Sequence, residues 1–266
     1  MPYALLAVFL ALLPLVSHVP AHARMAASPA PAAALPARAD VIFVDADILP
    51  KSASRELTIL YYLSIARGHL LASIELAKQG RLEQAVLHSR HALDESWIEL
   101  AHLLPVDKAQ LLRDKIEAMN EAVALKTALS QIIAAHQATS AFIQELIEAT
   151  YAPGQSKTVQ KLEIVILLLQ QAQAEYEETW DGADLHEPAE YEDGFAFVQL
   201  AKAELEKLYP ELRARDRNAA EQIESTVARL AGDWPSPEPP ERPAMSQPLI
   251  RALVTAVEIN ARRFFD

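Results

Sequence analysis

The chain has 266 residues, a net charge of −12 with histidine taken as neutral, and no cysteine. The absence of cysteine excludes disulfides, thiolate metal sites and a cysteine nucleophile. The acidic balance makes nucleic acid an unsuitable partner, because the phosphate backbone is bound through Lys and Arg.

The first 23 residues have the features of a secretory signal peptide. Leu5–Val16 is a short apolar run, and an Ala-His-Ala cleavage site precedes residue 24. We therefore expect cleavage after Ala23 and export to a periplasm, with an uncleaved membrane anchor as the alternative. Residues 24–51 then form an Ala/Pro-rich linker, in which the apolar residues 41–44 form a strand or a segment docked on the rest of the protein.

From residue 52 onward the apolar residues recur at helical spacing, and the sparse Gly and Pro residues mark the ends of the periodic runs. The pattern predicts an all-α fold, a multi-helix antiparallel bundle that occupies 52–266 as a single domain and includes a Pro-rich arm at 233–247. The third helix is predicted to be long or to bend near 137–140, and Pro210 is predicted to separate the fifth helix from the sixth. The predicted helices are 53–79, 81–104, 106–150, 157–181, 189–209, 211–231 and 247–265.

One face of the second predicted helix carries an unusual set of metal-ligating residue types. At 100° per residue its members fall within an arc of roughly 80°. This histidine arc comprises His88, His91, Glu95, Glu99 and His102.

The first predicted helix supplies a partner for this arc across the short turn at Gly80. His69 and His91 each lie eleven residues from Gly80, so an antiparallel hairpin would place them at the same height on neighbouring helices, about 8–10 Å apart. The pattern therefore predicts a metal site formed by His69, His88, His91 and Glu95, with Glu99 and His102 as possible additional ligands.

Imidazole and carboxylate ligands without sulfur suit Fe, Cu(II), Zn or Ni, and the sequence does not choose among them. A haem held by two histidines between helices is also left open. The alternative to any cofactor is a solvated helix face that happens to contain His and Glu. We expect metal binding to weaken below about pH 6, where imidazoles gain protons and stop being ligands.

Two further groups are weaker candidates. His136 lies on an apolar stripe of the third predicted helix, where a hydrogen-bonded core histidine is the commoner role. Asp181, Asp184 and His186 lie in an acidic connection between helices that could capture a hard cation, although charged connections are commonly just solvated.

The motifs of common enzyme classes are missing: the sequence has no Gly-x-Ser-x-Gly elbow, no phosphate-binding glycine loop and no His-Glu-x-x-His pair. The sequence therefore favours a protein that is not an enzyme. Gly80 with Ala85 and Ala92 has the spacing of a tetratricopeptide hairpin, which makes the first hairpin TPR-like without a repeated unit.

The dipeptide Gly68-His69 and the acidic-aromatic run at 190–198 resemble imelysin-like proteins and the periplasmic helical parts of bacterial iron-uptake systems. His69 directly follows Gly68, and Ala72 stands where the imelysin signature Gly-x-His-x-x-Glu has glutamate. The resemblance therefore implies a compartment and a general role but no site residues.

These observations predict an exported, non-catalytic helical protein that binds or sequesters a transition-metal ion and acts in metal uptake or homeostasis. Its expected partners are the metal ion and a membrane transporter or another periplasmic protein. The alternative is a helical protein-protein interaction module without a cofactor.

Overall fold

The computed structural model describes residues 48–265, and most of this part of the chain is helical, as the periodicity predicts. The predicted signal peptide, the linker up to residue 47 and the apolar run at 41–44 lie outside the described residues. The helices are α1 (Arg55–Lys78), α2 (Leu82–His91), α3 (Ile98–Leu100), α4 (Val106–Ala124), α5 (Leu129–Thr150), α6 (Lys157–Thr179), α7 (Pro188–Arg215), α8 (Arg217–Asp233) and α9 (Gln247–Ala261).

Four short elements complete the described part. A π-helical turn, Ala92–Trp97, joins α2 to α3, and a 3₁₀ turn, Arg262–Phe264, follows α9. The strands β1 (Trp180–Asp181) and β2 (Asp184–Leu185) pair antiparallel, with Trp180 opposite Leu185.

Helix α1 is the central helix of the N-terminal half, and it packs against α2, α5, α6 and α7. Among the described residues it is the helix that meets the length and hydropathy of a membrane span, but 72% of its apolar window is buried inside the protein. We therefore interpret α1 as a core helix, whose apolar residues are covered by its neighbours rather than by lipid.

Helices α6 to α9 form a four-helix bundle in the C-terminal half. Helix α7 packs against α6 and α8, and α9 closes the ring by packing against α8 and α6. Residues 191–198 of α7 are buried on every side, because α1 and α2 cover the face that the bundle leaves open.

The turn between α1 and α2 fixes how the two helices face each other. Gly80 has a φ of 79°, which residues with a β carbon rarely adopt. The Gly80 N–H donates to the Ala77 carbonyl and the Arg81 N–H to the Leu76 carbonyl, both at 3.0 Å, so the turn is a Schellman motif. It reverses the chain directly and brings Arg81 to the start of α2.

The predicted third helix is wrong in one respect: the chain breaks at residues 125–128, and α5 runs without interruption through 137–140. The break occurs at Lys126, which has a φ of 52°. Lysine gives no sequence signal for this left-handed conformation, which explains why the position of the break was not predicted.

The predicted boundary at Pro210 is also wrong, because α7 continues through this proline to Arg215. Proline removes one backbone hydrogen bond, but Leu208 and Leu212 on either side of it are buried, and their packing holds the helix together. Helix α8 begins instead after Asp216, whose side chain accepts a hydrogen bond from the Ala219 N–H at 3.1 Å.

Candidate metal centre

Four side chains from three helices meet in the interior where the hairpin of α1 and α2 covers the start of α7. His69 comes from α1, His88 and His91 from α2, and Asp193 from α7. One ligand atom from each residue lies within 4.8 Å of those of the other three. Within the described residues this is the group of His, Asp and Glu side chains whose spacing could hold a metal ion; we call it the His/Asp cluster.

Asp193 is the hub of the His/Asp cluster. Its Oδ1 atom lies 2.8 Å from His69 Nδ1 and 2.9 Å from His88 Nδ1, and its Oδ2 atom lies 3.0 Å from His91 Nδ1. Because an ionised carboxylate only accepts hydrogen bonds, each of the three imidazoles donates through Nδ1. The same ring atom of all three histidines therefore points to one place.

The outer nitrogen atoms of two of these imidazoles face further carboxylates. His88 Nε2 lies 2.7 Å from Glu192 Oε2 in hydrogen-bonding geometry. His69 Nε2 is buried and lies 3.1 Å from Glu95 Oε2, a contact without hydrogen-bond geometry. Glu95 Oε1 is also 3.7 Å from His91 Nδ1, so Glu95 borders the His/Asp cluster on the side where His91 is partly exposed.

The local sequence explains how α1 comes so close to α7. Gly68 precedes His69, and a β carbon at this position would collide with the ring of Phe197 on α7. The Phe197 ring in turn packs edge-on against His69, with ring centroids 5.3 Å apart. Glycine at position 68 thus lets α1 and α7 approach closely enough for His69 to reach Asp193.

The hairpin places His69 of α1 and His91 of α2 at the same height along the two helices, as their equal distance from Gly80 predicts. The rings of His69 and His91 are 5.4 Å apart and nearly perpendicular. The Ser73 hydroxyl of α1 donates to the Ala85 carbonyl of α2 at 2.7 Å, which holds the two helices together one turn nearer the loop.

The electrostatics of the His/Asp cluster are those of a buried, compensated ion group. Burial by itself lowers the pKa of His88, but the charges of Asp193 and Glu192 and the hydrogen bonds to them outweigh it and raise this pKa to about 9. The pKa of His69 is likewise raised, against its burial, by Asp193 and Glu95. Burial opposes ionisation of Asp193, yet the two imidazolium groups hold its pKa well below the usual range.

A second carboxyl pair is formed by Glu175 of α6 and Glu190 of α7. Burial first, and the neighbouring Glu190 second, raise the pKa of Glu175 well above its ordinary value. Glu175 also accepts a hydrogen bond from Gln171 at 2.6 Å. Burial thus favours the protonated form of Glu175, whereas the imidazolium neighbours favour the ionised form of Asp193.

The residues present fit a transition-metal ion. Metal–ligand bonds of about 2.0–2.2 Å place neighbouring ligand atoms roughly 3–3.5 Å apart. The His-to-Asp distances of 2.8 to 3.0 Å are slightly shorter than this, and the four ligand atoms all lie within 4.8 Å of one another, so the side chains would move to accommodate an ion. Three imidazoles and one carboxylate suit Fe, Zn, Cu(II) and Ni, whereas Ca²⁺ and Mg²⁺ prefer oxygen ligands.

The structure separates the remaining members of the histidine arc from the His/Asp cluster. Glu99 and His102 are exposed, and they follow the π-helical turn Ala92–Trp97. Because a π turn contains an extra residue, it rotates all later residues relative to a continuous α-helix. The arc drawn at 100° per residue therefore holds as far as Glu95 and fails beyond it.

The two weaker candidate groups lie elsewhere. His136 is half-buried on α5 and pairs with the Ser140 hydroxyl at 3.3 Å, and burial together with the charges of Lys78 and Arg67 lowers its pKa to about 4. Asp181, Asp184 and His186 are all exposed at the β1–β2 hairpin. None of the four contributes to the His/Asp cluster.

Sequence reasoning missed the two carboxylates on α7. Glu192 and Asp193 are each 1% exposed, although the sequence suggests an acidic, solvated connection in this region. A signal was present, because the following residues 194–198 are apolar or glycine. Two acids that open such an uninterrupted apolar run are candidates for buried, paired carboxylates.

Residues 153–266 match the family model of an iron permease-associated 4-helix bundle domain. No curated protein and no solved structure matches the chain. The matched segment contains α6 to α9, which form the four-helix bundle described above. It therefore supplies Asp193 and Glu192, while the three histidines come from the hairpin that precedes it.

The family match supports a helical, iron-uptake-related domain, which is the general part of the resemblance drawn from the sequence. The imelysin-like part of that resemblance stays a prediction, as does the TPR-like character of the first hairpin.

Proposed function

We propose that this protein binds a transition-metal ion, with iron as its cargo, at the His/Asp cluster and serves iron uptake without catalysing a reaction. The observation that carries the proposal is the convergence of three imidazole Nδ1 atoms on Asp193, a residue of the matched iron permease-associated segment. Histidine and carboxylate ligands are suited to iron. The iron is the substrate that the protein holds and releases.

The remaining parts of the proposal concern location and organisation. The signal-like residues 1–23 support export with cleavage after Ala23, and the continuous helical pattern supports residues 52–266 as a single domain. The family description supports a membrane permease as the partner. In this arrangement the protein would present the ion to the permease from the periplasmic side.

The proposal is tested by measuring metal content. The full chain, exported without a histidine tag, is incubated anaerobically with Fe²⁺, and separately with Zn²⁺ and Cu²⁺, and metal per chain is measured after gel filtration. We expect about one ion per wild-type chain, and loss of this ion in the double variant His88→Ala with His91→Ala, because two of the four ligands are removed.

The matched control is the double variant His102→Ala with His186→Ala, which removes two exposed imidazoles and should keep the wild-type metal content. A wild type that retains none of the three metals overturns the proposed function. Equal metal content in the two double variants overturns the assignment of the site.

A further inference from the structure

His88 lies between two neighbouring carboxylates of α7, one at each ring nitrogen. Its Nδ1 atom faces Asp193 at 2.9 Å, and its Nε2 atom donates to Glu192 at 2.7 Å. The side chains of His88 and Glu192 are 0% and 2% exposed, so water does not compete for either contact. Glu192 therefore occupies the Nε2 side of the ring, while the Nδ1 side faces Asp193, which the other two histidines also contact.

Glu192 is itself fixed from the side opposite to His88. Its Oε1 atom accepts from the Arg81 guanidinium at 2.8 Å. Arg81 is the residue directly after Gly80, and its backbone is held by the Schellman turn. Each Glu192 oxygen thus has a partner already, one cationic and one imidazole, and the imidazole contact is at Nε2 of His88, away from the Nδ1 atoms that meet at Asp193.

We infer that Glu192 is a positioning residue of the metal site: it holds the Nε2 proton of His88, so that Nδ1 is the atom that binds the ion, and Arg81 anchors it there. The inference rests on the proposed function. On metal binding, His88 loses its Nδ1 proton to bulk water, the Nδ1 lone pair bonds to the ion, and the Nε2–H bond to Glu192 is retained. Such outer carboxylates fix the tautomer and orientation of metal-bound histidines.

The neighbouring acids Glu192 and Asp193 therefore have different tasks. Asp193 contacts the inner nitrogen atoms of three histidines and is a candidate ligand, whereas Glu192 contacts the outer nitrogen of one. Consecutive helix residues point about 100° apart, which lets one reach the centre of the cluster and the other pass behind His88.

The first test is made on the wild-type protein loaded with Zn²⁺ as a diamagnetic probe. Long-range ¹H–¹⁵N correlation spectra of ¹⁵N-histidine-labelled protein report which ring nitrogen carries the proton and which binds the metal. The His88 signals are identified from their loss in His88→Gln. We expect a protonated Nε2 and a zinc-bound Nδ1. Zinc bound to Nε2 of His88 overturns the inference.

The second test compares two isosteric substitutions on α7. Glu192→Gln removes the charge that holds His88 and should weaken Zn²⁺ binding by roughly 10- to 100-fold, the loss typical of such outer residues. Glu204→Gln is the matched control, because Glu204 also bridges α7 to an arginine, Arg67 of α1, at 3.1 Å but belongs to no part of the cluster. Its zinc affinity should equal that of the wild type.

Arg81→Gln should weaken zinc binding in the same direction but less, because Glu192 loses its anchor and keeps its bond to His88. Thermal unfolding of the zinc-free variants shows whether each one folds, and the wild-type spectra decide the question even where a variant does not. Wild-type affinity in a folded Glu192→Gln overturns the inference but leaves the proposed function standing. A wild-type protein that binds neither Zn²⁺ nor Fe²⁺ overturns both the inference and the proposed function.

Discussion

At the scale of single residues, protons and metal compete for the same Nδ1 atoms. In the metal-free protein His69 and His88 are imidazolium groups around the ionised Asp193, and the pKa of His88 is raised to about 9. A metal ion must displace these protons. The sequence alone predicts that metal binding weakens below about pH 6, but the raised pKa values of His69 and His88 extend the competition between protons and metal to higher pH.

The first prediction concerns the pH dependence of the metal-free fold. A histidine with a raised pKa stabilises the folded state fully below its unfolded pKa near 6.5, and this stabilisation is lost as the pH rises through its folded pKa, about 9 for His88. The free energy of unfolding, measured with urea in the presence of chelator, should therefore fall between about pH 6.5 and 9. The slope is roughly 1.4 kcal/mol per pH unit for each proton.

His88→Gln should show a shallower fall over this range, because one of the shifted groups is gone. On the acid side Asp193 acts with the opposite sign: its pKa is depressed, so its stabilisation is lost as the pH falls below the normal carboxyl range. An unfolding free energy that stays constant or rises from pH 6.5 to 9 in the wild type would contradict these assignments.

At the scale of elements, short irregular segments determine which side chains of the long helices reach the His/Asp cluster. The π-helical turn Ala92–Trp97 ends the histidine arc after Glu95, and the Schellman turn at Gly80 sets the level of His69 against His91. The same holds for the break between α4 and α5, where one residue with a positive φ replaces the bend expected inside a longer helix.

The second prediction is that Lys126→Gly stabilises the fold. In the left-handed region a β carbon costs about 1–2 kcal/mol of strain, which glycine removes. Part of this gain is cancelled, because glycine also gives the unfolded chain more conformational freedom. The contact of Lys126 with Glu83 is 3.9 Å long and exposed, so its loss matters little. We expect a gain of about 0.5–1 kcal/mol by urea unfolding.

Lys126→Ala is the control for this substitution, because alanine removes the lysine side chain but keeps the β carbon. It should leave the stability close to that of the wild type. A Lys126→Gly protein no more stable than Lys126→Ala would show that the positive φ at this position is not strained.

At the scale of the whole molecule, the His/Asp cluster joins two parts of the chain that are far apart in sequence. Its histidines lie on the N-terminal hairpin, and its carboxylate lies on the bundle that matches the iron permease-associated domain. An ion bound there would hold the hairpin and the bundle together in the folded state and would have no comparable site in the unfolded chain.

The third prediction is that a bound ion raises the thermal midpoint. An ion present at a concentration 100 times its dissociation constant adds about 2.7 kcal/mol to the free energy of unfolding. This corresponds to an increase in the thermal midpoint of roughly 5–10 °C for a domain of this size. Differential scanning calorimetry with Zn²⁺ or anaerobic Fe²⁺ should show this increase at pH 7.5. Mg²⁺ at the same concentration is the control, because it prefers oxygen ligands, and an equal shift with Mg²⁺ would contradict the assignment.

Apolar periodicity and the turn at Gly80 are local properties of the chain, so the amino-acid sequence is enough to predict the all-α class, most of the helices and the pairing of His69 with His91. It also singled out His88 and Glu95, which share a helix face with His91 over less than two turns. Only the tertiary structure brought Asp193 and Glu192 to these histidines, since residues about 100 positions apart meet through helix packing that no local pattern encodes. The same packing buries residues 191–198 of α7, holds that helix together through Pro210, and places Glu192 and Asp193 in the interior of the candidate metal centre.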